Sequence, residues 1–254
     1  MLLKKKMRSG QKLCGTMLRI VRNPAICYLA KNAGLDFVMP DCEHGNYDFE
    51  TLHDMFITAN ALGITCFVRV PQGSKDYISR ALDTGAGGVM VPLVETVEQA
   101  RTLVKYAKYP PVGDRGFNAV GPHTNYLGGK HADVMEQGNA KVIAIAQIET
   151  ATAIDNIDAI AAVEGLDALL IGPNDLSVSL GIPGELTHPK ELEAIAAVAA
   201  ACKKHSKAFG LHSAAPLLEK FAKDLGIVMS LSDTDFLVKG LAGVRNTCDS
   251  LGSA

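Results

Sequence analysis

Short apolar runs recur along the chain and alternate with longer segments of mixed polarity. Eight can be marked, at 13–18, 36–39, 65–70, 88–92, 142–148, 168–171, 208–211 and 227–231. They are rich in Val, Ile, Leu, Phe and Met and do not alternate with polar residues, the pattern of strands buried on both faces. Helical spacing appears between them. Val97, Ala100, Val104 and Ala107 form one apolar stripe, opened by a Thr96/Gln99 capping box. Ile154, Ile157, Ile160 and Ala161 form another, and 191–205 is an Ala-rich helix. Gly34, Gly63, Gly85, Gly165 and Gly226, with Gly87 as a further candidate, fall between a helical pattern and the next run. That is where a left-handed helix terminus is expected. Eight strand–helix units in 254 residues, with no linker or shift in composition, predict one closed TIM (β/α)8 barrel over 1–254.

One segment breaks the rhythm. Between the fourth and fifth runs, 109–129 contains Pro110, Pro111, Gly113, Gly116, Gly121, Pro122, Gly128 and Gly129, too many breakers for a regular element. A long loop in a compact domain is usually functional or mobile. Placed after the fourth strand, it would belong to the active-site face. At the ends, 1–12 carries Lys4, Lys5, Lys6, Arg8 and Lys12 and reads as a solvated N-terminal arm. The 236–254 stretch begins apolar and reads as an oligomerisation element.

Composition removes several classes. A net charge of −2 directs attention away from nucleic acid. No apolar run approaches the roughly 20 residues of a membrane span, and no signal-like segment follows the basic start. The expected setting is the cytoplasm. Cys14, Cys27, Cys42, Cys66, Cys202 and Cys248 form no Cys-x-x-Cys pair, which suits free thiols in a reducing compartment and argues against zinc held through Cys.

Candidate chemistry sits just beyond the runs, where a barrel gathers polar groups around one pocket. The pieces are Asp41-Cys42-Glu43-His44, Arg69 within Phe67-Val68-Arg69-Val70-Pro71, Gln147-Ile148-Glu149-Thr150, and Gly172-Pro173-Asn174-Asp175. Glu149 and Asp175 are hard oxygen donors suited to Mg²⁺ or Mn²⁺. Each could equally be a helix N-terminal acid. Carboxylate neighbours favour proton uptake by an imidazole and fix its tautomer, so His44 is the candidate general base; the alternative is an ordinary loop His. Arg69 is costly inside an apolar run without an anion. It could bind a carboxylate and a developing enolate, or form an internal salt bridge. The turn at 172–175 could offer backbone amides to a carboxylate. Asp83 is by default a surface helix acid, and His53 a helix residue. His123, His131 and His212 are secondary candidates.

On these residues the chain resembles the HpcH/HpaI family of class II, metal-dependent 2-oxo acid aldolases, whose barrel is of the phosphoenolpyruvate/pyruvate-binding type. The resemblance runs from 14 to 235 and is carried by Asp41-Cys-Glu-His44, Tyr109-Pro-Pro-Val-Gly-Asp-Arg-Gly116, Gln147-Ile-Glu-Thr150 and Ile171-Gly-Pro-Asn-Asp-Leu-Ser177. It implies aldol cleavage of a 4-hydroxy-2-oxo acid, or a 2-dehydro-3-deoxy sugar acid, to pyruvate and an aldehyde through a metal-stabilised enolate. Glu149 and Asp175 would hold the divalent metal, Mg²⁺ or Mn²⁺, with Co²⁺ admissible. Gln147, Gly172, Pro173, Asn174 and Asp175 would hold the pyruvate moiety. His44 would assist proton removal and Arg69 would stabilise the enolate. Asp41 would orient His44, and Asp83 would support it as a base, from a neighbouring subunit. The implied assembly is a hexamer built as a trimer of dimers, with a terminal helix exchanged. Partners would be a small 2-oxo acid and an aldehyde, without nucleic acid or membrane.

Two departures stand out. Cys42 replaces the small Gly common between Asp and Glu-His, and 116–126 departs from the Arg-containing run usual after Arg-Gly. The second segment is expected to face the aldehyde end. The alternatives are another pyruvate-enolate lyase, such as a decarboxylase or macrophomate-synthase-like enzyme, and a barrel that senses a 2-oxo acid without turnover.

Overall fold

In the computed structural model, which describes residues 3–252, all eight predicted runs are strands, with ends displaced by no more than one residue. The strands are β1 (Leu13–Leu18), β2 (Phe37–Pro40), β3 (Thr65–Arg69), β4 (Gly88–Val91), β5 (Ile143–Ile148), β6 (Ala168–Ile171), β7 (Ala208–His212) and β8 (Ile227–Ser232). They pair in parallel, in chain order, and β8 closes on β1. The helices are α1 (Leu3–Arg8), α2 (Ile26–Asn32), α3 (Phe49–Leu62), α4 (Lys75–Asp83), α5 (Val97–Ala107) and α6 (His131–Lys141), then α7 (Ala151–Asp155), α8 (Ile157–Ala161), α9 (Pro173–Ser179), α10 (Pro189–Lys204), α11 (Ala215–Lys220) and α12 (Asp233–Leu251). No described helix is long and apolar enough to cross a membrane.

Two separate cores explain why the runs do not alternate in polarity. Leu13, Met17, Phe37, Met39, Phe67, Met90, Ile145, Leu170 and Met229 fill the barrel lumen. Their neighbours Leu18, Val38, Val68, Val89, Ala146, Leu169 and Leu211 pack outward against the helices. Successive strand residues face opposite sides, so both parities are apolar. The lumen is tight: a Cβ on Gly15 would lie 2.5 Å from the Phe37 ring. Continuing the lumen-facing parity past the apolar layers reaches Arg19, Asp41, Arg69, Gln147, Glu149, Gly172 and His212 at the C-terminal end of the strands. The two-residue period alone therefore gathers the polar groups into one place.

Several local expectations hold. Thr96 and Gln99 form the capping box of α5, and Gly34, Gly63, Gly85 and Gly165 have positive φ. Gly226 and Gly87 are not among the positive-φ glycines. Gly87 is needed for space instead, since a Cβ there would meet Thr65 Cγ2 at 2.5 Å. The stripe at 154–161 spans two short helices, α7 and α8, divided at Asn156. The Asn156 side chain donates through Nδ2 to the Glu95 carbonyl at 2.9 Å.

The basic start is not a solvated arm. Residues 3–8 form α1, with Lys4 and Met7 buried. Met7 joins the lumen cluster, so α1 plugs the N-terminal end of the barrel. Lys4 Nζ and Lys108 Nζ lie 2.6 and 2.7 Å from the two oxygens of buried Asp167. Burial pushes that carboxyl up, but the two ammonium groups outweigh it and hold it below its ordinary range. Lys6 pairs with Asp36, leaving Lys5 as the exposed member of the lysine run.

The 109–129 segment also differs from expectation. It does not leave β4 directly, because α5 intervenes. A barrel helix returns antiparallel to its strand, so the segment starts at the end of the barrel opposite the polar cluster. A Cβ on Gly85, just beyond α4, would lie 3.3 Å from Pro122 Cβ, and Arg115 Nη2 pairs with Asp83 Oδ1 at 2.6 Å. Within its own chain, then, 116–126 does not face the site.

Glu191, in the first turn of α10, is fully buried, and neither carboxylate oxygen has a hydrogen-bond partner. Burial alone pushes its pKa up to about 7. A carboxyl raised in the folded state costs stability once pH passes the unfolded value and ionisation sets in. The protein is expected to lose roughly 2–3 kcal/mol between about pH 5 and pH 8 through this group. Glu191→Met should flatten that part of the curve. Denaturant midpoints at the two pH values check it; an unchanged slope in the variant would remove Glu191 as the cause.

Candidate active site

Arg69, the last residue of β3, is buried at the top of the lumen and is the hub of the cluster. Its Nε and Nη2 donate to Asp41 Oδ1 and Oδ2 at 2.8 and 2.6 Å, a two-point pair. Nη1 lies 2.8 Å from Glu43 Oε2 and 3.4 Å from Gln147 Oε1. The approach to Glu43 is an ion pair without hydrogen-bond alignment, because that buried oxygen has no hydrogen-bond partner. Burial would raise the Asp41 carboxyl, but the Arg69 pair holds it below its usual range. The guanidinium is in turn held in its charged form despite burial.

Asp41 therefore serves Arg69 first. It reaches His44 through the backbone only, accepting from the Glu43 and His44 amides at 3.1 and 3.4 Å. The exposed His44 ring lies 3.9 Å from Glu43 Oε2. The residue beside the imidazole is thus Glu43, not Asp41, and burial raises the Glu43 carboxyl against the opposing charge of Arg69. Glu43 had been legible only as part of the Asp41–His44 tetrad.

Glu149, just past β5, is 2 % exposed. Its Oε1 accepts from the Leu93 amide at 2.8 Å and its Oε2 from Gln147 Nε2 at 2.6 Å. Gln147 thereby bridges Arg69 and Glu149. Leu93 makes its contact from a left-handed backbone, φ +52, that no sequence pattern signals. Burial pushes Glu149 up to about 7, with the negative charges of Asp175 and Glu43 adding to the rise. Gly172 gives this carboxylate room: a Cβ there would sit 2.5 Å from Glu149 Oε2 and 2.7 Å from Gln147 Nε2. Pro173 opens α9, and Asn174 and Asp175 stand exposed in its first turn.

Asp83 is not brought to this cluster within the chain. It ends α4 and pairs with Arg115, whose guanidinium lies over the Tyr109 ring. His123 accompanies Asn118, and His131 stacks on Phe117, both away from the site. His53 lies in α3 as expected. Two further residues reach the top of the lumen by the same parity, His212 and Arg19, and Arg19 Nε lies 3.7 Å from Asp41 Oδ2. Arg19 immediately follows the first apolar run, the same signal that marked the others.

Among the described residues, no group of three or more His, Cys, Asp or Glu converges as a ready cation cage. What exists is a buried carboxylate with its charge under-compensated, a second carboxylate coupled to it, and a side-chain-free Gly172 beside them. That donor set fits a hard divalent cation that keeps water or substrate oxygens in its remaining positions.

The fold is that of a (β/α)8-barrel enzyme, with its candidate site at the C-terminal face of the strands. The chain belongs to the HpcH/HpaI aldolase/citrate lyase family, which matches residues 19–230, and it is a carbon–carbon lyase. It is 37% identical over 189 residues to a 5-keto-4-deoxy-D-glucarate aldolase of Klebsiella pneumoniae, covering 74% of this chain and 73% of the relative. To a 4-hydroxy-2-oxovalerate aldolase of Novosphingobium aromaticivorans it is 42% identical, covering 70% and 67%. The crystal structure of an HpcH/HpaI aldolase from Desulfitobacterium hafniense superposes with a TM-score of 0.93 at 35% identity, covering 98% of this chain and 96% of that one.

Proposed function

We propose that the enzyme catalyses the reversible aldol cleavage of a 4-hydroxy-2-oxo acid, or a 2-dehydro-3-deoxy sugar acid, to pyruvate and an aldehyde. The observation that carries this reading is the Arg69–Gln147–Glu149 chain of contacts, which sets a buried cation beside a cation-ready carboxylate. Glu149 and Asp175 would hold Mg²⁺ or Mn²⁺, which when bound supplies Lewis-acid polarisation of the 2-oxo group. Gln147 and the turn from Gly172 through Pro173 and Asn174 to Asp175 bind and orient the pyruvate moiety. Arg69, fixed by Asp41, places its positive charge where the enolate develops. His44, exposed beside Glu43, takes the proton from the 4-hydroxyl in cleavage. In the synthetic direction it returns it. The direct test is exchange of the methyl protons of pyruvate in deuterated buffer with a divalent cation, which requires enolate formation and no aldehyde.

The assembly is proposed to be a homo-oligomer, a hexamer by the family resemblance. From Asp235 onward α12 is exposed, including Phe236, Leu237, Val238, Leu241 and Val244. An uncovered apolar helix of this kind marks an interface. Asp83, remote from the site of its own chain, would then support a neighbour's His44. Sedimentation at working concentration is expected to show a species larger than a monomer; a fully active monomer would refute both statements.

A further inference from the structure

The pyruvate half proposed above uses β2, β3, β5 and β6. The loop after β4 holds Glu149 through the Leu93 amide; the lumen-facing positions at the tops of β7 and β1 remain, and they carry His212 and Arg19, while β8 shifts register there and turns at Leu231.

His212 continues the inward parity of Ala208 and Gly210. Its Nε2 lies 3.2 Å from the Leu231 carbonyl oxygen. A carbonyl only accepts, so Nε2 carries the hydrogen and the neutral ring presents its lone pair at Nδ1. Nδ1 has no hydrogen bond and is not among the sealed, unpartnered atoms of the described residues. Burial lowers the ring's affinity for a second proton, and the charges of Arg19 and Arg69 lower it further.

Arg19 is held by its main chain. Asp233 accepts from the amides of Arg19, Ile20 and Val21 at 2.8, 2.9 and 2.7 Å, pinning the loop after β1. The side chain is 44% exposed, and its ion pair is a single Nε contact with Asp41 Oδ2 at 3.7 Å. Asp41 is already engaged at two points by Arg69. Asp235 is the other carboxylate that senses both Arg19 and His212, and its Oδ2 is taken by the Ser232 amide and hydroxyl at 2.7 and 2.6 Å. Among the described residues no other ion pair engages the Arg19 guanidinium, whose planar fork is the donor geometry that matches a carboxylate.

We propose that Arg19 and His212 form the electrophile subsite and select a carbonyl partner that itself bears a carboxylate. Arg19 pairs with that carboxylate, and His212, held as a neutral ring by the Leu231 carbonyl, walls the same side of the subsite without adding a charge. The inference rests on the pyruvate-enolate reading and extends it to the class of the second substrate.

Glyoxylate and acetaldehyde make the test, being similar in size and differing in the carboxylate. Aldol addition of pyruvate to each is measured with a divalent cation for the wild type, Arg19→Leu, Arg19→Lys and His212→Leu. Methyl-proton exchange of pyruvate is followed in parallel. The wild type is expected to exchange protons and to prefer glyoxylate in kcat/KM. Arg19→Leu should lower the glyoxylate-to-acetaldehyde ratio by about 10–100-fold, the size of a charged hydrogen-bonded contact, chiefly through KM for glyoxylate. Arg19→Lys should keep part of the preference. Should Arg19→Leu fail to fold, Arg19→Lys still reads the ratio; His212→Leu should slow addition to both partners alike and leave proton exchange in place. Exchange in the wild type without preference for glyoxylate overturns the inference and leaves the pyruvate reading standing. So does an unchanged ratio in an Arg19→Leu variant that still exchanges. Loss of exchange in Arg19→Leu would place Arg19 in the pyruvate half and also overturn it. A wild type that does not exchange overturns the reading beneath.

Discussion

Glu149→Ala and Asp175→Ala are each expected to abolish cation-dependent turnover while leaving the barrel folded. Glu149 is a buried carboxylate raised to about 7 by burial and by its acidic neighbours, so its charge does little for the stability of the fold. Its removal leaves the Leu93 amide and Gln147 Nε2 without their acceptor, a local cost that should not unfold the barrel. The cation, in contrast, loses one of two carboxylate donors. Affinity should fall by more than the roughly 10–100-fold typical of changes one layer out from a metal. Cation titration followed by fluorescence or calorimetry, beside circular dichroism, separates the two effects. Near-normal activity with unchanged cation affinity in either variant would remove that residue from the site.

Arg69→Lys is the second large effect, and it keeps the charge. The guanidinium grips Asp41 at two points while Nη1 reaches toward Glu43 and Gln147. An ammonium cannot hold Asp41 in that way and still point toward Gln147. Loss of one preorganised stabilising contact typically costs about 10²–10³ in rate, or roughly 3–4 kcal/mol. Aldol cleavage and pyruvate proton exchange should fall together, since both pass through the same enolate. A variant that exchanges protons normally but releases no aldehyde would place Arg69 at the electrophile end.

The barrel was legible because it makes unusual demands on a sequence. Strands with one face in the lumen and the other under helices must be apolar at both parities, so Val68 and Phe67 are both hydrophobic although they face opposite sides. Against that background Arg69 stands out, as do the polar groups that follow each run. Partner choice was not legible in the same way. Asp41 lies three positions from His44, yet the lumen parity turns its carboxylate toward Arg69, leaving Glu43 beside the imidazole. The stripe from Val97 to Ala107 does mark α5 ahead of 109–129; the expectation for that loop left out what the helix implies, a return antiparallel to β4 that moves the segment to the other end of the barrel. The lysine run at 4–6 carries the signature of a solvated face; Asp167, more than 150 positions away, draws Lys4 inside. Leu93 contributes a backbone amide in a strained conformation, and side-chain identity is silent about that.

The central claim is that this site makes an enolate from pyruvate. The measurement that addresses it most directly is loss of the pyruvate methyl proton signal by NMR in deuterated buffer, with Mg²⁺ or Mn²⁺ and no aldehyde, beside a chelator control. Exchange that requires the cation, and that disappears in Glu149→Ala, is the expected result. Binding of pyruvate and cation to the folded protein without any exchange would contradict the account and point to a barrel that senses a 2-oxo acid rather than one that enolises it.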